Sequence, residues 1–149
     1  MKFEEVREAF KAYRYQPTIL PVRSTSKSAG YDFFLKEDVT IWPGEHVFQY
    51  TDVKCELARD EVLLLFIRSS VGINKHLTLS NGTGVIDADY YNNSNNNGNI
   101  GLTLFNYGKE VQTMKKGERI MQGIVVDYKV SENDISAGVR SGGFGSTGI

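Results

Sequence analysis

Residues 80–106, SNGTGVIDADYYNNSNNNGNIGLTLFN, place Asp87 and Asp89 two positions apart with Tyr90 directly behind, then run into a stretch that is almost all asparagine. An ionised aspartate is a weak base. It can still take a proton from water when positioning supplies much of the rate. Four further clusters carry arginines, hydroxyls, acids or amides among glycines: SAGYD (28–32), RSSVG (68–72), GERIMQG (117–123) and RSGGFGSTG (140–148). Other chemistries are poorly supplied. His46 and His76 lack a nearby cysteine or carboxylate at ligand spacing and read as strand histidines, and Cys55 alone makes neither a disulfide nor a zinc site. No Gly-Lys-Ser/Thr phosphate loop occurs, Phe144 stands where a nucleophile elbow around Ser146 needs glycine, and DADYYN lacks the fifth-place oxygen and sixth-place glycine of a calcium loop. The sequons NGT and NNS stand in a chain without a secretory start. What remains suits a phosphate ester or anhydride attacked by water.

The elements that must position these groups are short. At 149 residues the chain is read as one domain, 1–149, with an N-terminal extension (1–15) and a C-terminal tail (138–149). Seventeen basic against eighteen acidic residues leave a net charge of −1 and no basic face, so no nucleic-acid partner is expected. No apolar run suits a bilayer and MKFEEVREAF is no signal peptide, so no membrane partner is expected and the predicted setting is cytoplasmic. PTILPV, DFFL, VTIWP, HVFQY, VKCEL, EVLLLFI, HLTLS, IGLTLFN and RIMQGIVVDYKV alternate with turn residues, the pattern of an all-β sandwich or barrel. EVLLLFI is continuous enough to be a central strand, and Cys55 reads as a small core residue. Only FEEVREAFKAY has helical spacing, through Val6, Phe10 and Tyr13, which predicts a short amphipathic helix.

Taken singly, the clusters have ordinary readings: a tight turn at SAGYD, the end of a strand at RSS, a turn before a strand at GERI, and a disordered glycine-rich terminus. Asp87 alone reads as a turn-stabilising residue. Their order and spacing together, from LPVRSTSKSAGYD to GFGSTG, resemble the five motifs of the trimeric dUTP pyrophosphatase (dUTPase) family. The resemblance implies a jelly-roll-like β-barrel or sandwich and Mg²⁺-assisted hydrolysis of dUTP to dUMP and pyrophosphate. It also implies a homotrimer with shared active sites. The related dCTP deaminases are the runner-up, with GVIDADY arguing against them, and a regulatory protein partner is a third reading.

The resemblance also assigns roles. Asp87 matches the catalytic aspartate that activates water at the α-phosphate, and Tyr90 the ring that packs on deoxyribose and leaves no room for a 2′-hydroxyl. Asn81 matches the uracil-contacting asparagine, with the backbone of residues 81–86, Val85 and Ile86 included, forming the base pocket. Arg68, Ser69 and Ser70 match the second motif, Ser69 at the bridge between α and β phosphates, and Gln122 matches the α-phosphate contact. Asp32 is expected near the metal through water, with Arg119 pairing to it structurally. Arg140, Phe144, Gly145, Ser146 and Thr147 form a tail that stacks on the base, binds phosphates and closes a neighbouring subunit's site.

Three departures stand out. Ile67 replaces the second motif's usual proline, and RSGGF brings Arg140 one residue nearer to Phe144. YNNSNNN intervenes between Tyr90 and Gly98, where about one residue is usual. By composition this insertion (92–97) reads as a solvated loop at a hairpin end, with a partner-binding role as the other reading.

Overall fold

The computed structural model describes residues 1–138, 140 and 142–144. Within them the strands are β1 Lys2–Glu5, β2 Tyr31–Phe34, β3 Val39–Ile41, β4 His46–Tyr50, β5 Val53–Glu56, β6 Glu61–Ile67, β7 Leu77–Leu79, β8 Gly84–Ile86, β9 Gly101–Asn106, β10 Gln112–Met114 and β11 Arg119–Asp127. One α-helix, α1 (Ser69–Lys75), and 3₁₀ turns at Glu8–Phe10 and Ala88–Tyr90 complete the set.

β6 is the apolar run EVLLLFI. It lies between β11 and β8 in a four-stranded sheet of order β2-β11-β6-β8, the central position its hydrophobicity predicts. A second sheet has the order β4-β9-β7, and β1-β5 and β10-β3 form antiparallel pairs. The all-β expectation holds, as a sandwich whose sheets do not close into a barrel. The core draws on both sheets: Phe33, Leu63, Leu65, Ile120 and Met121 from one, Leu77, Leu79, Leu102 and Leu104 from the other. Cys55 is buried among them, and burial pushes its thiol up to about 12.

Several segments fold otherwise than their patterns predict. The N-terminal helix is absent. Residues 2–5 pair with β5 in the register Lys2↔Glu56 to Glu5↔Val53, and only Glu8–Phe10 makes a helical turn. Tertiary contacts outweigh the helical spacing here: Phe3 packs edge-on to Phe33, Val6 is buried, and the Asp52 carboxylate accepts from the Ala12 and Tyr13 N–H groups at 2.8 and 3.0 Å. PTILPV yields only an isolated Val22↔Asp32 bridge, consistent with prolines at both ends that cannot donate to a ladder. β10 and α1 have no matching sequence signal. Of the histidines, His46 lies on β4, whereas His76 caps α1 in the left-handed conformation.

The asparagine run is solvated only in part: Asn92, Ser94 and Asn95 are exposed, and the rest is packed. Asn93, Asn97 and Asn99 are buried and bonded to one another's neighbourhood through side-chain amides. Asn97 Oδ1 accepts from Arg7 N–H at 2.9 Å, Lys54 Nζ donates to Asn92 Oδ1 at 2.6 Å, and Asn99 Oδ1 accepts from Asp52 N–H at 2.9 Å. The run is thereby tied to β5 and to the N-terminal segment, so its buried amides find protein partners in place of water.

Candidate active site

β8 carries the chain to the site. It pairs with β6 in the register Leu65↔Gly84, Leu64↔Val85 and Leu63↔Ile86. Glycine suits position 84, because a Cβ there would lie 3.1 Å from Leu65 Cβ. β8 is also the edge of its sheet, so its outward backbone groups pair with no further strand. The connection from β7 crosses between the two sheets through Asn81 and Gly82, the latter at φ +73°. At this crossing a cavity of about 410 Å³ opens, walled by Asn81, Val85, Ile86, Asp87 and Tyr90 and floored by Leu65, Leu79 and Met121.

Asp87 precedes the 3₁₀ turn Ala88–Tyr90, yet its side chain does not cap that turn. Its carboxylate accepts instead from Arg140 Nη2 at 2.5 Å, while Arg140 Nε donates to Asp89 Oδ1 at 2.7 Å. Tyr90 is buried at 6 % exposure. Its hydroxyl donates to the Asn99 carbonyl and accepts from Asn96 Nδ2, both at 2.7 Å, and burial raises the phenol's pKa. Gly143 lies against this ring, where a Cβ would come within 2.5 Å of Cε2. Phe144 stands edge-on to Phe48 with centroids 5.6 Å apart.

The described tail residues Arg140, Gly143 and Phe144 therefore line this cavity within the single chain. The two carboxylates and the Tyr90 ring supply the local partners. Gly145, Ser146 and Thr147 lie outside the described residues.

A second group lies apart. Arg68 and Ser70 line a different recess of about 460 Å³, and Ser69 and Ser70 are exposed at the start of α1. Gln122 sits on β11 opposite Asp32, close enough to Gly30 that a Cβ there would meet its Oε1 at 2.5 Å. Asp32 is buried and fully engaged: Arg68 Nε at 3.0 Å, Arg119 Nη1 at 3.1 Å and Ser24 Oγ at 2.8 Å. The pairing with Arg119 matches the expectation. Both Asp32 oxygens are paired with arginines, which argues against direct metal ligation and leaves the expected water-mediated contact as a proposal. Among the described residues no three His, Cys, Asp or Glu side chains gather as metal ligands.

The structure thus brings Asn81, Val85, Ile86, Asp87, Tyr90, Arg140 and Phe144 to one cavity and leaves Arg68, Ser69, Ser70 and Gln122 outside it. Sequence reasoning gave Asp89 no part in the site, and it missed Asn96. Both are visible only through contacts, with Arg140 and with the Tyr90 hydroxyl.

Comparison with known proteins bears on the whole chain. The deoxyuridine 5'-triphosphate nucleotidohydrolase of Lactococcus lactis is 40% identical over 143 residues, covering 95% of each chain, and that of Mus musculus is 39% identical over 135 residues, covering 86% of this chain and 77% of the relative. The crystal structure of the Streptococcus mutans dUTPase superposes with a TM-score of 0.78 at 36% identity, covering 89% of this chain and all of that one. A mutant dUTPase of phage phi11 of S. aureus, whose structure concerns the coordination of a structural Mg(II) ion, shares the fold at 22% identity and a TM-score of 0.70, covering 91% of this chain and 95% of its own. The dUTPase family profile matches residues 16–148. With these motifs on this sandwich, the chain belongs to the dUTPase family.

Proposed function

We propose that the protein hydrolyses dUTP to dUMP and pyrophosphate by attack of an Asp87-held water on the α-phosphorus. The observation that carries this reading is the meeting of Asn81, Asp87 and Tyr90 in one cavity. Asp87 accepts a proton from the water as its oxygen bonds to the α-phosphorus. The bond to the α–β bridging oxygen breaks, and that oxygen leaves with pyrophosphate. Uracil offers acceptors at O2 and O4 and a donor at N3. The open edge of β8 together with Asn81 supplies fixed backbone and amide groups to complement them. Such a site rejects cytosine, whose reversed pattern leaves buried groups unpaired, by ~10⁴-fold or more. Tyr90 closes the sugar side.

The phosphate-binding residues Arg68, Ser69 and Gln122 lie away from this cavity in the same chain. That separation supports a homotrimer in which a neighbouring subunit supplies them. Ser69 would then stabilise charge on the leaving bridge oxygen, and Gln122 would hold the α-phosphate. Mg²⁺ would be held by the triphosphate and water, with Asp32 the acid that a bound water would meet, and would neutralise charge on the phosphates.

The test is pyrophosphate release with Mg²⁺ from dUTP, dCTP, dTTP and UTP offered separately, with ammonia measured for dCTP. Selective release from dUTP supports the reading. Ammonia from dCTP, or no release from dUTP, ends it.

A further inference from the structure

Asn96 lies six residues beyond Tyr90, in the inserted run, and its side-chain amide has a single satisfying orientation. Its Oδ1 accepts from Asn93 Nδ2 at 2.8 Å and from Gly98 N–H at 3.0 Å. Nδ2 is left to donate, to the Tyr90 hydroxyl at 2.7 Å and at the longer distance of 3.5 Å to the Asn99 carbonyl. That hydroxyl, its lone pair taken, sends its own proton to the Asn99 carbonyl at 2.7 Å. Asn93 closes the circuit: Nδ2 donates to the Tyr90 carbonyl at 2.8 Å, and Oδ1 accepts from Asn95 and Asn96 N–H at 3.0 and 3.1 Å.

The far end of the Tyr90 ring is therefore pinned as donor and as acceptor. Asn96 itself does not line the cavity that the ring walls. Asn97 N–H donates to the Asn93 carbonyl at 3.0 Å, and through Asn97 the circuit is tied to Arg7 N–H and, by way of Asn92, to Lys54 on β5. Burial raises the Tyr90 phenol pKa while the Asn96 donor lowers it, consistent with an amide hydrogen aimed at the phenol oxygen.

A steric wall excludes a group only as far as the wall refuses to yield. An aromatic ring free to tilt makes room for one hydroxyl, and a ring fixed at its tip does not. We propose that Asn96 is a positioning residue for sugar selectivity: it locks the Tyr90 ring so that a 2′-deoxyribonucleoside triphosphate fits and the ribonucleoside triphosphate is refused. This rests on the dUTP-hydrolysing reading above. The insertion is then a brace for the discriminating ring.

The test compares kcat/KM for dUTP and UTP in the wild type, Asn96→Asp, Asn96→Ala, Tyr90→Phe and the Tyr90→Phe/Asn96→Ala double variant. Asn96→Asp keeps the shape and the acceptor for Asn93 and Gly98 but turns a proton-free oxygen toward Tyr90. Both Asn96 variants are expected to lower the dUTP-to-UTP selectivity ratio about tenfold, the scale of one hydrogen bond. In the Tyr90→Phe background, Asn96→Ala is expected to change nothing further, because its route through the hydroxyl is gone. An unchanged ratio, or an equal loss in the Tyr90→Phe background, overturns the proposal. A wild type that releases no pyrophosphate from dUTP sinks the functional reading instead. Asn96 is then judged by the NMR resonance of the Tyr90 Cζ carbon, which Asn96→Asp must move; an unmoved resonance overturns the brace.

Discussion

Arg140 Nη2 donates to Asp87 Oδ2 at 2.5 Å, so the tail arginine and the candidate base form one ion pair within a single chain. Asp89 takes the Nε of the same guanidinium, so the fork is shared between two carboxylates that the sequence sets two residues apart. Half of the Asp87 side chain remains open, at 49% exposure, which leaves lone pairs free for a water.

Asp87→Asn keeps the shape and removes the proton acceptor. Binding of a non-hydrolysable dUTP analogue, measured by calorimetry, is expected to persist while pyrophosphate release falls by about 10²- to 10⁴-fold. A near wild-type rate removes Asp87 from the chemistry.

Gly143→Ala tests the seating of the tail. The added Cβ would meet Tyr90 Cε2 at 2.5 Å, closer than side-chain carbons approach. Because only peripheral segments must shift, kcat/KM is expected to fall about tenfold with the melting temperature unchanged. A drop in melting temperature of several degrees would show that the contact belongs to the core.

Asp32→Ala strands the guanidinium groups of Arg68 and Arg119. Both arginines keep some solvent, at 27% and 45% exposure, so the loss is expected near 2 kcal/mol, below the figure for a fully buried pair. Urea unfolding measures it. If stability holds and added Mg²⁺ no longer stimulates turnover, Asp32 serves the metal after all.

Cys55 makes stability depend on alkaline pH. Burial lifts its thiol from 9.0 to about 12, so the folded state favours the protonated form. Its contribution is complete below pH 9 and lost as pH rises toward 12, with a limiting slope of about 1.4 kcal/mol per pH unit. Lys36 acts oppositely, since burial lowers its pKa and stability gains as it deprotonates. The readout is therefore the difference in slope between wild type and Cys55→Ala. Equal slopes would mean that the thiol titrates normally.

What the sequence disclosed depended on how local the cause was. EVLLLFI became the central β6 because a strand covered on both faces must be apolar throughout. Asp87 and Tyr90 were legible because three residues bring both to one wall. Val6, Phe10 and Tyr13 misled, since their spacing suits a helix but each is held by a distant residue: Asp52 for the backbone of Val6 and of Tyr13, Asn99 for the carbonyl of Phe10. α1 was hidden by a glycine and two β-branched residues, poor helix formers held there by packing of Val71. The engagement of Asp32 depended on arginines remote in the chain, and the asparagine run was illegible because water and other amides satisfy asparagine equally well.

The burial of Asn97 bears on chemical ageing. Two Asn-Gly pairs occur in the site region, Asn81-Gly82 and Asn97-Gly98, and such pairs lose their side-chain amide when the glycine nitrogen attacks it and closes a succinimide. Asn97 is 2% exposed, its amide is held by Asn92, and the Gly98 nitrogen is engaged with Asn96. Asn81 is exposed at the cavity wall. Gly82 N–H is engaged as well, by the Leu79 carbonyl at 2.9 Å, so exposure of the Asn81 side chain is what directs deamidation there; an aged preparation is expected to lose dUTP affinity while its melting temperature holds.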